Sequence, residues 1–346
     1  MSPYVLVILV LTMGMGTLVT LISSHWLLAW VGLEMSTLAV LPIMSRGYHP
    51  RAIEATTKYF LVQATAASLL LFSGMVNAWL TGLWEIQQLF YSVPGVVFIV
   101  GLALKIGLAP FHFWMPDVLQ GLSLGVGLVL CTWQKVGPVS ILFQLDFFPS
   151  FVVVLGLVSS FVGGWGGLNQ TQLRKLLAYS SIAHFGWMVV VLQFSTFLGL
   201  LNFLFYSVMS VAIFLVLMLN NAVSVSGLAM MWAKLPLISL TIPLVFLSLG
   251  GLPPFTGFLP KWLILQELVK QGNVFLSVFM ALSALLSLFF YVRVSYVAAL
   301  TMAPNSPIGA TSWRLIYFKV PALVAGGVVF SVMLLPISPL IVFVLS

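Results

Sequence analysis

Glu34, Lys105, Lys135 and Lys261 are ionisable side chains set deep in apolar sequence, and His112 and His184 stand in similar surroundings. Glu34 lies in Trp-Val-Gly-Leu-Glu-Met-Ser, Lys105 between Gly-Leu-Ala-Leu and Ile-Gly-Leu-Ala, and Lys261 between Gly-Phe-Leu-Pro and Trp-Leu-Ile-Leu. A charge at the centre of such a stretch costs about 2.5–3.5 kcal/mol on membrane-insertion scales, and residues kept at that cost are functional by default. Burial disfavours the charged form of acid and base alike, so a neighbouring charge or water decides where the proton stays. The chemistry open to this set is a proton relay. Each member also has a structural alternative: Glu34 and Lys135 could form a static pair, or a long stem could carry its charge to the membrane surface. Four such groups in one chain favour the relay. His112 and His184 are further candidates because imidazole titrates near neutrality; a hydrogen-bonded packing role suits either equally well. His25 and His49 fall at the ends of apolar stretches, where no role is expected.

The elements that hold these groups follow from composition. Of 346 residues, 62% are hydrophobic and 5% charged. A soluble domain carries about a quarter charged residues to solvate its surface. The deficit excludes a soluble enzyme, a nucleic-acid binder and a disordered tail, despite a net charge of +7. A hydrocarbon core about 30 Å thick takes about 20 helical residues. Apolar stretches that long run near 3–22, 25–45, 53–80, 94–121, 122–145, 150–168, 172–192, 195–222, 236–269, 273–300 and 319–345. They lack the alternation of a membrane β-barrel. The expectation is an all-α polytopic membrane protein with about eleven transmembrane helices. The first stretch reads as a permanent helix, with no cleavable signal or Arg-rich transit peptide.

Two of these stretches are interrupted. The fourth contains Gly-Leu-Ala-Pro-Phe at 107–111, followed by Pro116, and the ninth contains Gly-Leu-Pro-Pro-Phe at 251–255, followed by Pro260. Proline removes an amide donor and clashes with the preceding turn. Broken backbone at membrane depth survives only inside protein or beside a wet cavity. Both copies lie close to an intramembrane lysine, and paired interruptions in two halves mark the transport site of a repeat-built transporter. A kink filled by neighbouring hydroxyls is the plainer alternative.

Loop charges give an orientation. Arg46, Arg51, Arg174, Lys175, Lys234 and Arg314 fall in loops after even-numbered stretches, with Lys58 and Lys319 just inside the next helices. Odd loops hold Glu85, Asp146 and Glu267, with Lys270 as the clear cation. The positive-inside rule then puts the N-terminus and even loops on the negative side, and the C-terminus opposite. Arg293, near the end of its stretch, is expected to reach toward the even-loop face. A single cysteine, Cys131, rules out a disulfide framework or a Cys-ligated cluster. No metal-spaced His/Asp/Glu group and no Ser–His–Asp arrangement stands out. The longest loops, near Tyr48 and between Met302 and Arg314, leave no room for a redox domain, so redox chemistry would belong to other chains.

Three strings carry a resemblance: Lys105-Ile-Gly-Leu-Ala-Pro-Phe-His-Phe-Trp-Met-Pro-Asp-Val, Gln172-Leu-Arg-Lys-Leu-Leu-Ala-Tyr-Ser-Ser-Ile-Ala-His and Gly250-Gly-Leu-Pro-Pro-Phe-Thr-Gly-Phe-Leu-Pro-Lys261. With them the sequence resembles, over essentially its whole length, the NADH–ubiquinone oxidoreductase chain 2 family, the antiporter-like membrane-arm subunits of respiratory complex I. The family is itself similar to subunits of multisubunit cation/proton antiporters. The resemblance implies antiporter-like inverted repeats of five helices, near 3–145 and 150–300, two broken helices and a C-terminal helix near 319–345, all in one transmembrane domain over 1–346. It makes Glu34 the buried glutamate, Lys105 the broken-helix lysine, Lys135 the bridging lysine and Lys261 the distal lysine. It further implies an inner mitochondrial membrane protein with its N-terminus in the matrix and its C-terminus toward the intermembrane space. The resemblance further implies an N-terminus shortened relative to bacterial members, as expected of the animal mitochondrial form. No cofactor is expected in this chain; NADH, FMN, iron–sulfur clusters and ubiquinone would be handled by partner subunits. The expected partners are other membrane-arm subunits and the lipid bilayer, with no nucleic acid.

The implied mechanism begins with quinone reduction elsewhere, which shifts charge near the Glu34–Lys105 pair. Parting the pair removes the counter-charge that holds the Lys105 proton. That proton then passes through Lys135 toward Lys261 and out. A stand-alone cation/proton antiporter would use the same residues, and a structural spacer would use them only to lock helices.

Overall fold

The computed structural model describes residues 2–87, 92–145, 150–220, 222–229, 236–300, 322–333 and 335–337. In chain order the first helices are α1 (Pro3–Ile22), α2 (Trp26–Met44), α3 (Pro50–Thr81), α4 (Ser92–Ile106), α5 (Trp114–Gly121), α6 (Leu124–Cys131) and α7 (Trp133–Gln144). They are followed by α8 (Ser150–Gly167), α9 (Leu173–Leu192), α10 (Thr196–Asn220), α11 (Val225–Ala229), α12 (Pro236–Gly250), α13 (Phe258–Lys270), α14 (Val274–Leu300) and α15 (Ala322–Met333). Among the described residues, eight helical stretches are long and apolar enough to cross a membrane. The fourth and ninth expected spans are each built from two half-helices, α4/α5 and α12/α13. Together with α15 these account for the spans expected from the sequence. Of the last expected span, residues 319–321, 334 and 338–345 lie outside the described residues, as do Asp146, Lys234, Arg314, Lys319 and the loop between Met302 and Arg314.

Helix ends are set by local chemistry. Pro50 occupies the first turn of α3, where its missing amide costs nothing, and Gly82 closes the helix at φ 76°. His25 and His49, for which no role was expected, cap helices. The His25 Nδ1 accepts from the Leu27 amide at 3.2 Å at the start of α2, and the His49 Nδ1 accepts from the Arg51 amide at 3.3 Å at the start of α3.

The chain divides into two compact units, one up to Ser159 and one from Ser160, so that α8 straddles the division. In the first unit α1 and α2 approach until backbone meets backbone. A Cβ on Gly16 would stand 2.7 Å from the Gly32 carbonyl oxygen, and one on Gly32 would stand 2.7 Å from Thr20 Cγ2. Small residues permit this approach where lipid offers no hydrophobic drive for association. α3 packs along α4 and α5. In the second unit α9 is the central helix, with eight-ninths of its apolar window buried (89%). α10 lies against α9, α12 and α15, and α12 lies against α14.

The fifth expected span is continuous in length but bent. α6 stops at Cys131, Thr132 takes φ −113° and ψ −72°, and α7 starts at Trp133. Pro138 lies inside α7, where it cannot donate to the Gln134 carbonyl one turn back, a separate weakening of the helix beyond Thr132.

Candidate functional site

The two breaks have the same construction. In the first, Gly107 takes φ 84°, and the Gly107 and Leu108 amides both reach the Ala103 carbonyl at 2.9 Å. In the second, Gly251 takes φ 78°, its amide reaches the Ser248 carbonyl at 3.0 Å, and the Leu252 amide reaches the Leu247 carbonyl at 3.4 Å. Both are left-handed glycine caps in which the amide beyond the glycine bonds five residues back, a geometry that only glycine adopts cheaply. From each glycine to the start of the next half-helix, at Trp114 or Phe258, the chain runs the same length. The repeated string is thus a repeated structure.

Each break has a lysine close by in sequence, and the end of the first half-helix offers unpaired carbonyls that concentrate negative partial charge. The two lysines are attached on opposite sides. Lys105 belongs to the last turn of α4 itself. Lys261 starts from α13 and reaches back across the break, donating from Nζ to the Gly250 carbonyl at 2.8 Å, with its Nζ 6.0 Å from the centre of the Trp187 ring. The residue of the first break that corresponds to Lys261 is Asp117, half-exposed on α5 and 3.6 Å from Lys58. The breaks share a fold but carry their cation in different halves.

Around Lys105 the first unit forms a polar site. The Lys105 Nζ lies 3.8 Å from the Glu34 Oε1; the Lys105 side chain is 1% exposed and that of Glu34 23%. The Thr37 hydroxyl donates to the other Glu34 oxygen at 3.4 Å. The Gln63 amide nitrogen donates to the Lys105 carbonyl at 3.4 Å, and the Trp114 indole to the Leu104 carbonyl at 3.2 Å, satisfying acceptors that the break leaves open. A small cavity of about 10 Å³, lined among others by Lys105, Lys135, Ser36, Tyr59, Gln63 and Gln134, brings the first two lysines to one space. Lys135 is buried just beyond the bend at Thr132.

His112 is buried in the first break, its ring 4.3 Å from that of Phe113, and it is not among the residues lining the Lys105–Lys135 cavity. His184 is buried on α9, with its Nε2 3.5 Å from the Tyr291 hydroxyl and its ring 5.3 Å from Tyr206. Tyr291 packs beside Gly250, the residue whose carbonyl holds Lys261. His184 therefore shares a neighbourhood with the second break. Arg293 does more than reach a surface: its guanidinium donates to the Leu168 and Gln170 carbonyls just past the end of α8. Among the described residues no group of three or more His, Cys, Asp or Glu could hold a metal ion.

Sequence reasoning missed Gln63, Gln134 and Tyr59: Tyr59 and Gln63 stand one turn apart on α3, a spacing that marks a shared face but not what it meets, and Gln134 lies far along the chain on α7.

The family described as "NADH:quinone oxidoreductase/Mrp antiporter, TM" matches residues 23–287, and "NADH dehydrogenase subunit 2 C-terminus" matches residues 288–342. The backbone resembles a chain of respiratory complex I from Thermus thermophilus, with a TM-score of 0.88 and 28% identity over 100% of this chain and 81% of that one. It also resembles a chain of the Mrp complex from Dietzia sp. DQ12-45-1b, with a TM-score of 0.84 and 16% identity over 96% of this chain and 75% of that one, a likeness of fold alone. Fold and site together define an antiporter-type transmembrane protein with two lysine-bearing helix breaks. NADH-ubiquinone oxidoreductase chain 2 of Tetraodon nigroviridis is 54% identical over 98% of both chains, and that of Salmo salar 51% identical over 100% of both. The chain belongs to the NADH-ubiquinone oxidoreductase chain 2 family.

Proposed function

We propose that this chain is a proton-translocating membrane-arm subunit of a respiratory NADH:ubiquinone oxidoreductase, moving protons through Glu34, Lys105, Lys135 and Lys261. The observation that carries the reading is the Lys105–Glu34 pair at 3.8 Å beside a cavity shared with Lys135, built into a broken helix of a chain 2 family member. Glu34 is partly open to its surroundings while Lys105 is sealed, so a charge arriving from a neighbouring subunit acts first on the carboxylate. When Glu34 is drawn away or neutralised, Lys105 loses its counter-charge and releases its proton into the cavity. Lys135 takes it up, and the proton continues into the second unit. His184 is a candidate carrier there, and Lys261 is the terminal group, held until release by the Gly250 carbonyl. His112, buried in the first break, stays a further candidate carrier.

On this reading residues 3–145 and 150–300 are the two inverted repeats, and α15 belongs to the C-terminal helix near 319–345. The chain is a multi-pass protein of the mitochondrial inner membrane, with its N-terminus in the matrix and its C-terminus toward the intermembrane space. NADH, FMN, iron–sulfur clusters and ubiquinone act in partner subunits. Native electrophoresis of mildly solubilised membranes, stained for NADH dehydrogenase, tests the assembly. Co-migration with a very large NADH-oxidising complex supports the reading. Migration with small membrane partners alone transfers the same relay to a free-standing cation/proton antiporter.

A further inference from the structure

We infer that Gln134 is the positioning residue for the proton step between Lys105 and Lys135, its amide oxygen holding the water that joins the two lysine nitrogens. The inference rests on the relay reading above and adds a group outside the Glu/Lys set. Gln134 precedes Lys135 on α7 and is more than nine-tenths buried, at 9% exposure. Its Nε2 donates to the Ser36 carbonyl at 3.4 Å, tying α7 to α2 two residues beyond Glu34. With the nitrogen engaged, the amide plane is set and Oε1 is buried; among the described residues no donor reaches that oxygen. A buried acceptor without a donor costs about 1–3 kcal/mol, which an apolar side chain of the same size would not. The oxygen belongs to a residue lining the same cavity as Lys105 and Lys135, and about 10 Å³ there is room for one water.

A water in that space needs two to four polar partners. It finds them if it donates one hydrogen to the Gln134 Oε1, accepts a hydrogen from the Lys105 ammonium, and turns its second hydrogen to the Lys135 amine. The transfer then balances without displacing the water. Lys105 gives a proton to the water oxygen as the water gives its second hydrogen to the Lys135 nitrogen. Lys105 ends neutral, Lys135 ends as the ammonium, and the water is intact. The amide oxygen holds the remaining hydrogen throughout, so the water keeps the orientation the step requires.

The test uses the assembled enzyme. A high-resolution map of the wild type should show a water within hydrogen-bond distance of the Gln134 Oε1. Gln134→Leu should lose that water, slow coupled NADH:ubiquinone turnover about tenfold, equivalent to one factor of ten in the transfer step, and enlarge its solvent deuterium isotope effect. Gln134→Glu keeps both the donor to the Ser36 carbonyl and the oxygen only when its carboxyl is protonated, so it should restore the water and most of the rate at low pH and lose both as pH rises; a merely structural role would leave the isotope effect unmoved. Absence of the water in the wild type, or a Gln134→Leu enzyme with wild-type turnover and isotope effect, overturns the inference. Should Gln134→Leu not assemble, the wild-type map and the Gln134→Glu enzyme decide it. Full pumping in Lys105→Met would instead remove the relay itself. A defective Lys105→Met beside an unaffected Gln134→Leu removes Gln134 alone.

Discussion

The Lys105 ammonium stands 3.8 Å from the Glu34 carboxylate, at a distance that holds the charges together without a hydrogen bond locking them. A direct hydrogen-bonded pair would be harder to part. A longer gap would leave a sealed cation uncompensated, and removing one partner of a buried pair costs about 3–5 kcal/mol. On the relay proposed above, such a pair would be made and broken in each cycle, which this geometry suits.

The two break glycines should respond differently to the same substitution. Both occupy the left-handed region, where a side chain costs about 1–2 kcal/mol. In Gly107→Ala the new Cβ meets the Trp114 ring at 3.3 Å, so the expected effect is lower thermal stability with coupling kept. In Gly251→Ala it meets the Lys261 Cδ at 3.0 Å and its Nζ at 3.2 Å. That variant should lose coupling as well, measured as protons pumped per electron in reconstituted enzyme. Equal coupling in the two variants would contradict the placement of Lys261.

Lys261→Met removes both the charge and the donor to the Gly250 carbonyl. Proton release should fail while NADH oxidation by an artificial electron acceptor in the peripheral domain stays within about twofold, since the chemistry there uses other groups. An equal loss of both activities would show that Lys261 serves assembly alone.

Arg293→Met removes two charge-assisted bonds from the end of α8, each worth about 1.5–3 kcal/mol. The expected outcome is a lower midpoint for thermal loss of the assembled enzyme, with the residual enzyme fully coupled. Changed coupling at unchanged stability would place Arg293 in the transport path instead.

Orientation can be read by labelling. With Lys175→Cys and Glu267→Cys, an impermeant thiol reagent applied to intact mitoplasts should reach position 267 and not position 175, because basic loops face the negative compartment. The reverse pattern would invert the topology.

Much of the fold was legible because membrane helices are dictated by length and hydropathy, which need no long-range information. The breaks at Pro110 and Pro253 were legible for the same local reason. The bend at Thr132 was less so, because it falls within a stretch whose overall hydropathy reads as one unbroken span. The candidate lysines were legible through their cost. Their setting was not, because the cavity draws on α2, α3, α4, α5, α6 and α7 at once, and no spacing along one helix reports a contact among six. That Lys105 precedes its break and Lys261 follows its own was legible in the sequence; that the Lys261 ammonium reaches back to the Gly250 carbonyl was not.

The most direct test of the central claim is the number of protons pumped per electron by enzyme carrying Lys105→Met, measured in proteoliposomes beside NADH oxidation by an artificial acceptor. The relay predicts that pumping falls steeply while acceptor-linked NADH oxidation continues. Full pumping in that variant would show that protons do not pass through the Lys105–Glu34 pair.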